Sequence, residues 1–357
     1  MPVENIDALH AGAVALLKKM ISTQSFSREE GDTADLIENF LKEKGYKAQR
    51  NGNNVWCVAE NSQPGAPTIL LNSHHDTVKP VKAWQRDPFA PEVDGDILYG
   101  LGSNDAGASA VSLLAAFLHL SRKESLPYRL IIAITAEEEV SGSNGVASIL
   151  PELGKIAVAV VGEPTSLDMA IAERGLIVID CKAKGKAGHA AREEGENALY
   201  KAMDDIRWFR DYRFADVSDQ LGPVKMSVTQ IQAGYQHNVV PDECTFVVDV
   251  RTNECYSNQE IVDIIRQHVV SEVNPRSLRL NSSGIPQEHP LVLRAKEMGK
   301  KLYGSPTLSD QALMPFPSIK IGPGDSARSH TADEYIKLSE IRDGIETYIR
   351  LLEDLSI

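Results

Sequence analysis

The sequence is short of cysteine, of basic charge and of long apolar runs, and each shortage closes off a class of protein. Its 357 residues include four cysteines, Cys57, Cys181, Cys244 and Cys255, with no C-x-x-C pair among them. A chain this long builds a core without disulfide staples, so reduced structural thiols are expected. Lys and Arg number 37 against 50 Asp and Glu, a formal net charge of −13. Nucleic-acid phosphates demand a basic surface, so a nucleic-acid partner is excluded. No stretch approaches the roughly 18 apolar residues of a membrane span. The opening Met1-Pro2-Val3-Glu4 has an acid where an export signal carries bases, and the apolar run from Ala13 to Leu17 stops at Lys18-Lys19. A cytoplasmic location is expected. Two enzyme signatures are also missing. There is no G-x-S-x-G nucleophile elbow. Gly100-Leu101-Gly102-Ser103-Asn104-Asp105 begins like a dinucleotide loop, but Asp105 stands at the third glycine position and would repel a pyrophosphate.

What is present is an ordinary globular composition, 42% hydrophobic and 24% charged, in a chain long enough for two domains. Apolar spacing predicts helices from Ile6 to about Ile21 and from Asp32 to Lys44. Apolar runs at Thr68–Leu71, Leu130–Ile134 and Ile156–Val161 read as buried strands, with a helix from Ala108 to about Leu120. From Gly175 the style changes. A strand led by Ile177–Ile179, a helix Glu196–Arg210, strands Val224–Ile231 and Thr245–Val250, a helix Glu260–Val270 and a strand Leu278–Leu280 give the order β-α-β-β-α-β, which is ferredoxin-like. A helix Leu291–Leu302, a strand Ile319–Ile321 and a helix Leu338–Leu355 then return to the first style. The expected organisation is an α/β domain formed by 1–174 and 286–357, interrupted by an inserted α+β domain at 175–285.

Chemistry-bearing residues follow the strands. The first run ends in Ser73-His74-His75-Asp76, the second in Thr135-Ala136-Glu137-Glu138-Glu139 and the third in Gly162-Glu163-Pro164. Asp105 and His330 lie in loops. Open α/β sheets bind ligands beyond the carboxyl ends of their strands. If these strands are parallel neighbours, two imidazoles and several carboxylates meet on one rim. That donor chemistry suits a dinuclear zinc site. Asp76 can orient His74 from behind, and two ions about 3.5–4 Å apart need a bridging ligand such as Asp105. Of adjacent Glu138 and Glu139, one can bind metal while the other acts as general base. Each piece alone has a plainer reading: a paired histidine, a solvated run of glutamates, a strand end, a solvent-facing loop.

Taken together, Ser-His-His-Asp-Thr-Val (73–78), Leu-Tyr-Gly-Leu-Gly-Ser-Asn-Asp (98–105), Thr-Ala-Glu-Glu-Glu (135–139), Gly-Glu-Pro-Thr (162–165), Gly-Lys-Ala-Gly-His-Ala (185–190), Asn-Val-Val-Pro-Asp (238–242) and Ser-His-Thr-Ala-Asp-Glu-Tyr (329–335) resemble the M20 metallopeptidase family. The resemblance spans nearly the whole chain. It implies a zinc-exopeptidase-like mixed sheet flanked by helices, with the insert as lid and dimerisation domain. It implies two zinc ions, with cobalt able to substitute. His74 and Glu163 would hold one, Glu139 and His330 the other, with Asp105 bridging and Asp76 orienting His74. Glu138 would be the general base that activates water and then protonates the departing amine. His189 would be catalytic, reaching into the partner subunit's site of a homodimer to help hold the tetrahedral intermediate. Asn238 and Arg251 would contact substrate, although Arg251 equally suits a surface ion pair.

The run Asp105-Ala106-Gly107-Ala108-Ser109, Ser73 and Glu137 depart from the family's usual residues. They remove no ligand but blur the subfamily. The expected substrate is an N-acylated amino acid, first N-acetyl- or N-succinyl-ornithine, as in the acetylornithine deacetylase branch and arginine biosynthesis. Succinyl-diaminopimelate stands second, ahead of a dipeptide or general acyl amino acid. Two other classes remain for comparison: a metal-binding dimerisation protein that has lost catalysis, and a nicotinamide-dependent dehydrogenase.

Overall fold

A computed structural model describes residues 5–63 and 65–357; the opening Met1-Pro2-Val3-Glu4, read above as unlike an export signal, lies outside the described residues. The chain divides into two compact units. One comprises Met1–Ile171, Gly284–Tyr303 and Ser309–Ile357, and the other Ala172–Ser283 with Gly304–Leu308.

The first unit is built on a mixed sheet. The strand Thr68–His74 lies parallel between Arg129–Thr135 and Val158–Val161, and Ser318–Lys320 extends the parallel set beside Val158–Val161. Asn54–Val58 adds an antiparallel strand on the far side of Arg129–Thr135, and Gln49–Asn51 hairpins onto it. A strand alternates its side chains between two faces. Here Ile69, Leu71, Leu130, Ile132, Ile134, Val158 and Val160 join one apolar cluster, while Leu70, Ile131, Ala133, Ala159 and Val161 join another. Both faces are covered, which is why these strands read as unbroken apolar runs. The helix Ala108–Leu120 is buried nearly all round, consistent with its lack of a polar stripe. It packs against the helices Ile6–Ile21 and Leu338–Leu352.

Two sequence expectations need correction. The helix expected over Leu291–Leu302 spans Pro290–Glu297. It stops because Gly299 takes φ +77°, with Lys300 N–H bonded to Ala295 O and Gly299 N–H to Lys296 O, a Schellman closure. Leu302 instead opens the strand Leu302–Ser305.

In the second unit the strands Lys225–Ala233, Glu243–Thr252, Gly175–Lys184 and Glu272–Pro275 lie in that spatial order, all antiparallel. The helices Ala198–Asp211 and Asn258–His268 complete a β-α-β-β-α-β unit in the ferredoxin-like order. Its core joins Ile177, Ile179, Phe246, Val248 and Val250 with Phe209, Ile261 and Ile265. The second correction falls here, since the last strand is Glu272–Pro275, not Leu278–Leu280. The carbonyls of Leu278 and Leu280 are taken by the Asn258 amide, and Leu280 O also accepts from Leu176 N–H. The true strand buries only Val273, too thin an apolar pattern to announce itself.

All four cysteines are unbridged, with Cys57, Cys181 and Cys244 buried and Cys255 exposed. No helix among the described residues is long and apolar enough to cross a membrane.

Candidate active site

The parallel strands point their carboxyl ends to one rim of the first unit. His74 is the last residue of its strand, Glu138 and Glu139 sit in a short 3-10 turn after Thr135, and Glu163 follows Val161 by two residues. Asp105 lies in the tight segment Ser103–Gly107. That segment depends on glycine at two points. Gly102 has φ +74° and a Cβ there would meet Thr77 Cγ2 at 2.6 Å, while a Cβ on Gly107 would meet Gly102 O at 2.4 Å.

The chain brings together five proposed donors. His74 Nε2 lies 3.3 Å from Asp105 Oδ1 and 3.7 Å from Glu163 Oε1. His330 Nε2 lies 3.0 Å from Glu139 Oε2 and 3.6 Å from Asp105 Oδ2. Donors about 2.1 Å from a shared tetrahedral ion stand roughly 3.4 Å from one another, so these spacings fit. Each Asp105 oxygen faces a different histidine, as a bridging carboxylate must.

The tautomer of His74 makes the fit sharper. Its Nδ1 is 2.9 Å from the Asp76 main-chain carbonyl, an obligate acceptor, so Nδ1 carries the proton. In the neutral ring Nε2 then presents a lone pair to the carboxylates of Asp105, Glu163 and, at 3.9 Å, Glu138. Lone pairs facing carboxylates in a buried site repel unless a cation lies between them. Burial opposes charge on His74, but Asp105, Asp76, Glu138 and Glu163 outweigh it and hold its pKa well above the ordinary imidazole value. His330, bonded chiefly to Glu139, is carried up to about 9. Burial, with the neighbouring carboxylates adding to it, pushes Glu163 up to about 8 and Glu138 well above the usual range. Metal ions would relieve the same strain without protons.

Asp76 acts here by two routes. Its main chain orients His74, while its carboxylate, 3.5 Å from Nδ1, accepts from Glu138 N–H at 3.0 Å, Glu139 N–H at 3.1 Å and Ser27 Oγ at 2.7 Å. Burial alone would raise its pKa, yet His74, Ser27 and these amides hold it below the ordinary carboxylate value.

Sequence reasoning gave no role to three buried carboxylates that shape this rim. Glu30 accepts from Glu137 N–H at 3.2 Å and Asn53 Nδ2 at 2.8 Å. Asp310 accepts from Thr135 Oγ1 at 2.7 Å and is pushed by burial up to about 6. Glu334 accepts from the backbone of the Asp105 segment and is pushed by burial up to about 7. Only Glu334 sat in a recognised motif; the others carry no periodic signal.

The remaining candidates belong to the second unit. His189 is exposed on a short ribbon in which it pairs with Val239, and its Nδ1 accepts from Ala191 N–H. Asn238, also exposed, offers its carbonyl to Ala190 N–H. Arg251 makes a bidentate pair with Asp249, at 2.9 and 3.1 Å.

A rim of this kind, with imidazoles and carboxylates at the ends of parallel strands, defines a metal centre. The chain belongs to Peptidase family M20/M25/M40, whose pattern matches residues 70–354. It is therefore a metal-dependent hydrolase, with a pair of metal ions, commonly zinc, as cofactor. A succinyl-diaminopimelate desuccinylase of Stenotrophomonas maltophilia is 26% identical, covering 95% of this chain and 98% of the relative. Succinyl-diaminopimelate desuccinylase 2 of a Ruegeria species is 29% identical, covering 71% of this chain and 69% of its own. Among solved structures, aminopeptidase PepT from Bacillus cereus superposes with a TM-score of 0.77 at 17% identity, covering 97% of this chain and 98% of that one. The YXEP protein of Bacillus subtilis, a dinuclear metal-binding peptidase, superposes with a TM-score of 0.75 at 16% identity over 98% of this chain and 99% of its own. These superpositions bear out the mixed α/β sheet flanked by helices. The relatives' names favour the desuccinylase expectation over acetylornithine, and lend no support to a place in arginine biosynthesis.

Proposed function

We propose that this protein hydrolyses the amide of an N-succinylated diamino acid, succinyl-diaminopimelate first among them, and releases the free amine. The observation that carries the hydrolytic reading is the divided Asp105 carboxylate, one oxygen toward His74 and the other toward His330. The desuccinylase names of the relatives support the substrate. In this reading His74 and Glu163 would hold one ion, Glu139 and His330 the other, with Asp105 shared between them. When bound, the ions supply Lewis acidity, making water more acidic and offsetting charge that builds on the amide oxygen. Glu138, on the same turn as Glu139, takes the proton of the attacking water and returns it to the amine nitrogen as the C–N bond breaks. Asp76 holds the Glu138–Glu139 turn through the two amides, so base and ligand keep a fixed separation.

We read the second unit as the lid and dimerisation domain. Its edge strand Lys225–Ala233 leaves Ile231 exposed, and the helix Ala198–Asp211 leaves Tyr200 and Met203 exposed. An edge strand left unpaired invites strand pairing with a second copy. From this unit we assign His189 to catalysis in a partner's site and Asn238 to substrate. Arg251 is the weaker assignment, because its guanidinium is already paired with Asp249.

Amine release should be measured on N-succinyl-diaminopimelate, N-succinyl-ornithine, N-acetyl-ornithine and dipeptides, with metal-free, zinc-loaded and cobalt-loaded enzyme. Metal-dependent turnover led by the succinyl-diaminopimelate arm supports the assignment. Turnover led by an acetyl substrate or a dipeptide would overturn the acyl preference and keep the chemistry.

A further inference from the structure

Two loops carry the donors that face each other across Asp105, and one buried side chain ties them together. Glu334 is 2% exposed. Its Oε1 accepts from Asn104 N–H at 2.8 Å and Asp105 N–H at 2.9 Å, and its Oε2 accepts from Gly102 N–H at 3.1 Å. Its own carbonyl accepts from Gly100 N–H at 3.0 Å. Three converging amides make an anion nest, and the carboxylate that fills it dictates the path of the chain around it. The segment so held runs through Gly102 at φ +74° to Asp105, whose φ of −115° and ψ of 101° are not helical. Without an acceptor at this point the buried N–H groups of Gly102 and Asn104 and the half-buried one of Asp105 would lose this partner, at a cost in stability.

Glu334 also belongs to the His330 segment. It immediately precedes the strand Tyr335–Lys337, which pairs antiparallel with Ile97–Tyr99, so the ribbon that launches the Asp105 loop also carries the residue that caps it. Asn104 adds a second tie, donating to Ser329 Oγ at 3.2 Å and to Asp325 O at 3.1 Å, and accepting from Asp325 N–H. Asp333 pins the other side of the segment, accepting from Gln85 and Arg86 N–H. Asp105 Oδ2 and His330 Nε2, 3.6 Å apart, thus stand on two segments that these contacts tie together.

We propose that Glu334 is the positioning residue of the bridging carboxylate: its three amide contacts set where Asp105 stands between His74 and His330, and so whether two metal ions share one bridge. It touches neither substrate nor metal and acts through Asp105. This inference rests on the metal-pair reading of the site.

The test compares wild type, E334Q and D96N loaded with Mn2+, by titration calorimetry and by electron paramagnetic resonance of exchange-coupled ion pairs. A glutamine at 334 keeps the shape but turns an amide N–H2 toward backbone N–H donors. Asp96, which precedes the ribbon strand Ile97–Tyr99, accepts from Ser339 N–H and Oγ at the start of the helix that follows Tyr335–Lys337, without a bond to residues 102–105. The D96N variant therefore loosens the ribbon while leaving the nest intact. The expected result is a coupled signal in wild type and D96N, and in E334Q a 10–100-fold loss of metal affinity, the size of effect typical when a ligand's support is removed, with signals of isolated ions. Equal loss in D96N and E334Q, or an unchanged coupled signal in E334Q, overturns the proposal. Should E334Q fail to fold, E334D carries the same comparison, since its carboxylate is one methylene too short to reach all three amides. A wild type that holds no coupled pair would fail the metal reading itself, a result distinct from failure of Glu334.

Discussion

At the scale of single residues, the site concentrates buried carboxylates, with the buried Lys320 lowering only part of what burial imposes on Glu163. Asp76 and Glu334 manage this by accepting main-chain N–H groups. Glu138 is left otherwise: its N–H is used, while its carboxyl is pushed well above the usual range, first by burial and then by Glu163, Asp310 and Glu139. Set beside the proposed ligands His74 and Glu139, this carboxyl is placed to take a proton from water. Glu138→Gln should cut turnover by about 10²–10⁴-fold, with both metals retained by elemental analysis. Loss of an ion would make Glu138 a ligand instead, a reading its 3.9 Å approach to His74 Nε2 keeps in view.

At the scale of elements, helix ends are decided by backbone geometry more than by apolar pattern. The helix Pro290–Glu297 begins with proline at its first position and a His289 cap, and closes at Gly299. A Cβ on Gly299 would meet nothing within 4 Å, so substitution there tests backbone strain alone. Gly299→Ala should cost about 1–2 kcal/mol, the price of one alanine in the left-handed region, read by urea unfolding. A loss near zero would mean the closure relaxes. Apolar periodicity identified the helix but ran it on to Leu302, because Met298 and Leu302 extend the pattern past the glycine that ends it.

At the scale of the whole molecule, the acidic rim couples folding to metal and pH. In the metal-free protein Glu163 is raised to about 8, Glu334 to about 7 and Asp310 to about 6. A carboxyl with a raised folded pKa destabilises the fold as pH climbs from its unfolded value, about 4.3, toward the folded one. His330, raised to about 9, contributes stability that is complete below its unfolded value and is lost as pH rises through 9. Both effects have the same sign. The thermal midpoint of chelated protein should therefore fall from pH 5 to pH 9, while the metal-loaded midpoint changes less and metal uptake releases protons. A chelated midpoint that rises over this window would show that these groups are not buried as described. The exposed edge strand Lys225–Ala233 sets a second expectation at this scale. Sedimentation should give a dimer that Ile231→Lys dissociates, and a wild-type monomer at working concentration would count against His189 serving a partner's site.

Sequence alone determined the strands that are buried on both faces and the order of residues at their ends. Thr68–His74, Arg129–Thr135 and Val158–Val161 were legible because burial on two sides forces continuous apolar runs, and His74, Glu138 and Glu163 stand at or just beyond their carboxyl ends. The β-α-β-β-α-β order of the second unit was legible for a similar reason, as apolar periods of two and of 3.6 residues differ. Family motifs supplied the five donors, whose side-chain chemistry is written in residue type. Only the tertiary structure decided how they are held. The strand Glu272–Pro275 buries one apolar side chain, so its existence depends on the neighbouring strand and not on its own pattern. The tautomer of His74 depends on the Asp76 carbonyl, and every residue carries a carbonyl, so no letter announces that role. Glu334 and Asp105 lie 229 positions apart, and a contact between a side chain and main-chain amides at that distance leaves no periodic trace in sequence. Residue types specify which groups can bind a metal; chain closure specifies the distances at which they do.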